Sequence, residues 1–587
     1  MSAQCHENGD SEATAVVPVQ YLSAVDNVFL RLEQPGTTWG VSMLLWLDGD
    51  VERDTVVEQL EQLCKNFPKF RSRCVRGNFF HCGHWLDMSV PPSDNENPGN
   101  GPKPATPYSK PWNEWHCSDH LDVVHIPAEK IVDENGNPDP ERERAAVEEL
   151  FGEFASRPFD PQIPVWHAQL IRGLSGPRSV LSFASHHCMA DGVGFAKAMM
   201  TLMSANVDAQ HGCTEAAATT ASPLPAETPA DSAASPAAAS ISVDSDATLA
   251  VTLAAGLSTL AVLTKTYVGG ALILVLRVLL GLLTMLFVLG RLTLFRRRTF
   301  RYPHPQPLQK CAAWSEPMDM EDIKAIRAAY PGVTLNDVMI ACLERAYSAY
   351  LDSLTPEDTN EEDLAYLTDP HSVRPAVIPP HHRDSKLSLI IPKAQRQLDD
   401  KRFENLATVE FMMMDTKSGE QSTEKSIAQA HKSMMRAKQS LFGWMAVAMA
   451  RAFCTHMPGL MSAALFWFCI DRAHGIFTNV PGPTDALYFG SKNAQQHRII
   501  SYIVYPPVTA PGTAAMGICS YNGKVHFSAM TDATCAFPGQ ARTLTSNFNV
   551  AYKRMLTDAR EELAARQQQQ QQQHGMPFEQ PSRLKVE

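Results

Sequence analysis

Ser185-His186-His187-Cys188-Met189-Ala190-Asp191-Gly192-Val193-Gly194 carries the spacing HHxxxDG at the point where a strand pattern gives way to a helix pattern. Upstream, residues 166–174 alternate and 179–185 form a short apolar run, both strand-like. Downstream, 195–203 is an apolar stretch that reads as a helix. Four fixed positions at this spacing arise by chance on the order of once in a thousand chains of this length. A bare His-His pair followed by an Asp-Gly turn would need no function, but the full spacing points to a site. A histidine at a strand end has a fixed backbone, and its neutral imidazole can take a proton from a hydroxyl near neutral pH. Successive strand side chains point to opposite faces, so His186 and His187 divide into one catalytic and one supporting residue. No GxSxG string adjoins them, so a covalent acyl-enzyme is not indicated. Direct attack of an alcohol on an activated acyl group needs only a base and an oxyanion partner, and a thioester would supply the activation.

Around this centre, residues 51–67 and 141–154 bury one helical face. Thr334-Leu335-Asn336-Asp337 reads as a helix start leading into an apolar-periodic run to Leu351, and Asn522-Gly523 between alternating segments reads as a hairpin. The 587 residues, with Lys+Arg 51 against Asp+Glu 63 and a net charge of −12, predict more than one domain and argue against nucleic acid. Thirteen cysteines without a CxxC pair or zinc spacing argue against a disulfide framework or metal site and fit a reducing compartment. The opening MSAQCHENGD lacks the order of a signal peptide.

Further strings carry a resemblance. HHxxxDG is similar to the signature of the acyl-CoA-dependent acyltransferases built on the chloramphenicol-acetyltransferase fold. Leu22-Ser23-Ala24-Val25-Asp26-Asn27-Val28-Phe29-Leu30, Arg157-Pro158-Phe159-Asp160, Pro164-Val165-Trp166, Leu335-Asn336-Asp337-Val338, Ser372-Val373-Arg374-Pro375, Asn479-Val480-Pro481-Gly482-Pro483 and Ser520-Tyr521-Asn522-Gly523 narrow it. They resemble the LSxxDxxFL, RPLD, PLW, ND, VRP, NVPGP and SYNG elements of the wax ester synthase/diacylglycerol acyltransferase family, in order. Val165 replaces that family's usual Leu, and the DFGWG of the plant alcohol acyltransferases is absent.

The resemblance implies an α/β protein of two chloramphenicol-acetyltransferase-like domains, each a mixed sheet flanked by helices. It implies His187 as general base, His186 beside it, Asp191 holding the loop through an arginine, and Gly192 letting the backbone turn. Asn336 would position a reacting oxygen or the histidine, with Asp337, Pro164 and Trp166 at the substrate. Asn336 and Asp337 serve equally well as capping residues, and Trp166 as core. Fatty acyl-CoA would be a co-substrate, with no other cofactor and no metal, and the acceptor a lipid alcohol such as diacylglycerol or a long-chain alcohol. A soluble or isoprenoid alcohol, and a non-catalytic membrane adaptor, are the alternatives.

The expected organisation is a tail over 1–20, an N-terminal acyltransferase domain over 21–205, an Ala/Pro/Ser-rich linker over 206–246, an apolar membrane-associated helical segment over 247–300, a C-terminal domain over 301–560 and a Gln-rich tail over 561–587. Residues 247–295 are of membrane length. Two halves that share one site must lie on the same side of a membrane, so this segment would form either a hairpin of spans (247–264 and 268–290) or helices lying in the interface. Asp244 and Asp246 before it and Arg296, Arg297, Arg298 and Arg301 after it place the halves on the cytoplasmic face, as at the endoplasmic reticulum or a lipid droplet. Arg277, Thr284 and Arg291, spaced by seven, share one helical face. Deleting 247–295 should release the protein from membranes; recovery of the intact chain in a salt-washed soluble fraction would sink this.

Overall fold

The computed structural model describes residues 20–33, 38–77, 83–89, 115–205, 279, 286, 290, 309–353, 386–394, 403–416, 421–439, 459–470, 473–490, 495–510, 512–532 and 540–574. The first half runs β1 Gln20–Tyr21, α1 Ala24–Leu32, β2 Gly40–Asp48, α2 Arg53–Asn66, β3 Ser72–Val75, β4 His84–Asp87, β5 Leu121–His125, α3 Pro140–Ser156, β6 Trp166–Arg172, β7 Arg178–His186, α4 Gly192–Met200 and β8 Met203–Ala205. The second runs β9 Lys310–Trp314, β10 Met318–Asp319, α5 Met320–Ala329, α6 Leu335–Ser353, β11 Lys386–Ala394, β12 Ala407–Asp415, α7 Thr423–Gln439, α8 Gly459–Ile470, β13 Gly475–Pro481, β14 Leu487–Phe489, β15 His497–Tyr505, β16 Ala514–Tyr521, β17 Lys524–Asp532 and α9 Gln540–His574.

Local chemistry sets the element ends. Ser23 caps α1 by accepting the Asp26 N–H at 3.1 Å. Asp139 caps α3 ahead of Pro140, whose missing N–H costs nothing in a first turn. Thr334 and Asp337 form the expected reciprocal pair: the Thr334 N–H donates to Asp337 Oδ2 at 2.7 Å and the Asp337 N–H to Thr334 Oγ1 at 3.4 Å. The β16–β17 hairpin turns on Asn522 and Gly523, both in the left-handed region at φ 48° and 72°, which these residue types tolerate best. The helix anticipated over 195–203 instead opens at Gly192 and closes at Met200, because the Asp191 side chain caps it earlier. The last helix runs through the glutamines read as tail and ends at His574, as the good helix propensity of Gln permits.

The strands form two mixed seven-stranded sheets and a small one of β1, β4 and β3. One large sheet has the order β5-β6-β7-β2-β15-β14-β8; the other has β10-β17-β16-β13-β11-β12, with β9 also pairing β17. Thus β14 and β15, numbered within the expected 301–560 domain, complete the first sheet, where β15 pairs antiparallel with β2. Chain order and sheet membership therefore part company, and the halves are interlocked by backbone hydrogen bonds. Phe70, Trp166 and Phe183 anchor one core, and Tyr347, Phe527 and Phe548 the other.

Residues 206–246, Arg277, Thr284, Arg291, the arginines at 296–298 and 301, and the Ser372-Val373-Arg374-Pro375 string lie outside the described residues. Of the apolar segment, Leu279, Leu286 and Gly290 are described as helical, and both leucines are exposed. Among the described residues, no helix is long and apolar enough to cross a membrane.

Candidate active site

β7 ends at His186 and α4 begins at Gly192, so the intervening loop presents His187 at the seam between the two halves. The two histidines have different surroundings, as strand alternation requires. His186 is fully buried: its Nδ1 accepts the Cys188 N–H at 3.0 Å, its Nε2 lies 3.5 Å from Glu33 Oε2, and the Phe159 ring meets it edge-on at 5.6 Å. Because Nδ1 accepts, the proton of the neutral ring sits on Nε2, facing the carboxylate. His187 is half-buried, with its ring against Phe29 at 4.4 Å between centroids. Burial lowers the pKa of His187 below the usual histidine value, outweighing its own carbonyl, Asp191 and Asn405, which favour the charged ring.

The backbone of the loop is tied from all sides. The His187 N–H donates to the Trp39 carbonyl at 2.7 Å, and the His187 carbonyl accepts Asn405 Nδ2 at 2.7 Å. The Met189 carbonyl accepts Lys69 Nζ at 2.9 Å. Asp191 Oδ1 accepts the Gly194 N–H and Oδ2 the Leu406 N–H, each at 2.8 Å. Asn405 and Leu406 belong to the second half, so the loop is complete only when the halves are assembled. Asp26 on α1 supports this set: it accepts Asn405 Nδ2 at 2.7 Å and lies 3.9 Å from Lys69. Burial raises its carboxyl pKa. Lys310 donates to the Thr38 and Ala155 carbonyls at 3.2 and 2.8 Å, fixing the chain just before Trp39. Burial lowers its pKa to about 8.

Asn336 opens α6, and its Oδ1 accepts Asn479 Nδ2 at 2.6 Å. Asn479 precedes Val480 on β13, and Val480 lies 4.0 Å from where a Gly192 Cβ would stand. The ND and HHxxxDG elements are thus connected through the Asn479-Val480 pair, not by a hydrogen bond from Asn336 to His187. Gly192 has no left-handed φ; it stands where the chain passes from the extended Asp191 into α4. Asp337 is buried and occupied by the Thr334 N–H and hydroxyl and by His431 Nδ1 at 2.9 Å.

The three residues expected at the substrate each have a structural role here. Asp337 is a cap and a partner of His431, Pro164 is buried and bridges to Arg73, and Trp166 is core. Trp166 stacks between His120 and Phe183 and donates its indole N–H to the Phe70 carbonyl at 2.7 Å, so neither face nor donor remains for a ligand. Glu33, Lys69, Asn405 and Phe29 were missed. The one local signal was Asp26 within the otherwise apolar face of α1.

Residues 137–339 match the wax ester synthase/diacylglycerol acyltransferase catalytic domain, and 405–555 match the WS/DGAT C-terminal domain. The chain belongs to the wax ester synthase/diacylglycerol acyltransferase family. It is an acyltransferase, and the catalytic-domain match contains the whole HHxxxDG loop and the ND element. No curated relative matches. Among solved structures, the chain is similar to the wax ester synthase/diacylglycerol acyltransferase from Marinobacter aquaeolei VT8, at 16% identity over 92% of this chain and 98% of that one, with a TM-score of 0.47. It is also similar to the TRI3 trichothecene 15-O-acetyltransferase from Fusarium sporotrichioides, at 12% identity over 92% and 94%, with a TM-score of 0.49.

Proposed function

We propose that the chain transfers a fatty acyl group from acyl-CoA to the hydroxyl of diacylglycerol or a long-chain alcohol, giving triacylglycerol or wax ester, with His187 as general base. What carries the reading is His187 itself. It stands at the seam of the two halves, its backbone is fixed at both N–H and C=O, and burial keeps its ring neutral at physiological pH. A neutral imidazole is the form that accepts a proton.

His187 takes the hydroxyl proton as the alcohol oxygen bonds to the thioester carbonyl carbon. The tetrahedral intermediate collapses, the C–S bond breaks, and the imidazolium returns the proton to the CoA thiolate. No acyl-enzyme forms and the base is regenerated. Asn336 has committed its oxygen to Asn479, so the group it retains is an NH₂ donor at a helix N-terminus, suited to developing negative charge. The apolar sequence at 247–295 supports placing this chemistry at a membrane surface on the cytoplasmic side, where lipid acceptors dissolve.

The test is ester formation from labelled palmitoyl-CoA with hexadecanol or dioleoylglycerol. His187→Ala should lose about 10²–10⁴-fold in kcat while keeping the wild-type melting temperature. Undiminished ester formation would remove His187 from the base role, and activity only with a soluble or isoprenoid alcohol would replace the lipid acceptor.

A further inference from the structure

We infer that His431 is a positioning residue for acyl transfer: it holds the Asp337 carboxylate, and through it the first turn of α6, so that the Asn336 carboxamide is presented to the reacting oxygen. This rests on the reading above of Asn336 as the donor to developing negative charge. Asp337 is 1% exposed, and its Oδ2 accepts from three groups: the Thr334 N–H at 2.7 Å, the Thr334 hydroxyl at 2.9 Å and His431 Nδ1 at 2.9 Å. Its Oδ1 is buried with no partner. An ionised carboxylate only accepts, so His431 Nδ1 carries the proton of this bond. A buried carboxylate needs hydrogen bonds or an opposite charge in place of its water, and among the described residues His431 is the one ionisable side chain bonded to it. Without His431, Asp337 is left with Thr334 alone, a partner from its own turn, and nothing from outside α6 braces that turn.

The reach of this contact follows from where its members sit. His431 shares a face of α7 with the buried Ile427 and Met434, four residues before it and three after, and α7 packs on α6. The imidazole stands at the rim of that face, its side chain 37% exposed. Asn336 lies between Thr334 and Asp337, the two residues that close the turn, and its Oδ1 accepts Asn479 Nδ2 at 2.6 Å. The carboxamide is therefore held at both ends, its backbone by the turn that His431 braces and its oxygen by β13. A shift of the turn moves the remaining NH₂ group, and a misplacement of about 1 Å is enough to cost about 10²-fold in rate.

His431→Leu and His431→Asn give side chains of the same branched shape that differ in one respect. The Asn Nδ2 stands as many bonds from Cβ as the imidazole Nδ1 and donates to Asp337, whereas Leu has no donor. In ester formation from palmitoyl-CoA and hexadecanol, His431→Leu should lower kcat about 10²-fold with the KM for palmitoyl-CoA within about twofold, and His431→Asn should restore most of the loss. In an Asn336→Ala background His431→Leu should cause no further loss, because a residue that acts through Asn336 then has nothing to position. Should His431→Leu fail to fold, His431→Ala with added imidazole takes its place: the half-exposed position admits the free ring, and kcat should rise with imidazole concentration while the wild type is unmoved. Equal kcat in His431→Leu and His431→Asn, additive losses with Asn336→Ala, or no gain with imidazole would overturn the positioning role. Wild-type kcat in Asn336→Ala would defeat the donor reading of Asn336 itself; an impaired Asn336→Ala beside a His431→Leu of wild-type kcat would defeat only the role of His431.

Discussion

His187 and Glu344 are two side chains that burial keeps uncharged, and they differ in what surrounds them. The backbone N–H and C=O of His187, Met189 and Asp191 are all answered by partners, those from the opposite half being Asn405 and the Glu404 carbonyl. Glu344 lies fully buried in the middle of α6, and neither of its carboxylate oxygens has a hydrogen-bond partner. Burial and the nearby Asp415 raise its pKa from 4.5 to about 8. Desolvation acts on both, lowering the base and raising the acid. In the loop the neutral form is the chemically useful one. In α6 neutrality is a burden, because the unfolded chain ionises at ordinary pH and the folded one does not.

The first way to break the comparison is to cut the loop from its supports. Asp191→Ala removes the α4 cap and the acceptor for the Leu406 N–H together. Loss of a cap costs about 1 kcal/mol, and an orphaned buried N–H about 1–3 kcal/mol. Activity should fall by about 10²-fold as the ring moves out of line. Circular-dichroism melts and ester formation measured side by side check this. If both stay near wild type, the loop does not depend on the second half.

Glu344→Gln tests the other side of the comparison and should leave kcat alone. The sign follows from the raised carboxyl pKa. Below about pH 4.5 both folded and unfolded chains hold the proton and the glutamate costs nothing. As pH rises toward 8 only the unfolded chain releases it, so stability is lost progressively. At pH 7 the loss is roughly 3 kcal/mol. The variant should therefore melt higher than wild type at pH 7.5 and alike near pH 4.5. A stabilisation independent of pH would show that burial of an ionisable group is not its cause.

How much of this was legible in the sequence depends on how local each feature is. The Asn522-Gly523 hairpin, the Thr334/Asp337 cap and the strand-loop-helix around HHxxxDG could be read because the deciding atoms lie within a few residues of each other. The supports of the loop could not. Asn405 meets His187 across 218 positions and Lys69 meets Met189 across 120, and nothing in the residues flanking either marks it. Conversely, Pro164 and Trp166 stood in a recognisable string, yet their string reflects packing: Val165 accepts the His186 N–H at 2.9 Å while Trp166 fills the core behind it. A motif can sit beside a site because it holds up the strand that carries it. The insertion of β14 and β15 into the first sheet is equally invisible in chain order, since pairing with β2 leaves the same apolar alternation as pairing within the second sheet.

The smallest expected effect reads the environment of His187 directly. A solvated histidine would give half-maximal kcat/KM near pH 6.5. Here burial favours the neutral ring and Asp191 opposes it only in part, so the acid limb should fall below pH 6.5 and the rate should be flat through neutrality. Asp191→Asn removes the opposing charge and should carry the limb further down, provided its melting temperature leaves the assay range folded. Initial rates between pH 5 and 8, with melts at each pH, separate titration of the base from unfolding. A limb at or above 6.5 in the wild-type chain would mean that the ring is protonated more readily than its burial allows. The contrast with Glu344 would then fail on the side of the loop, since the two groups would no longer share a cause for their neutrality.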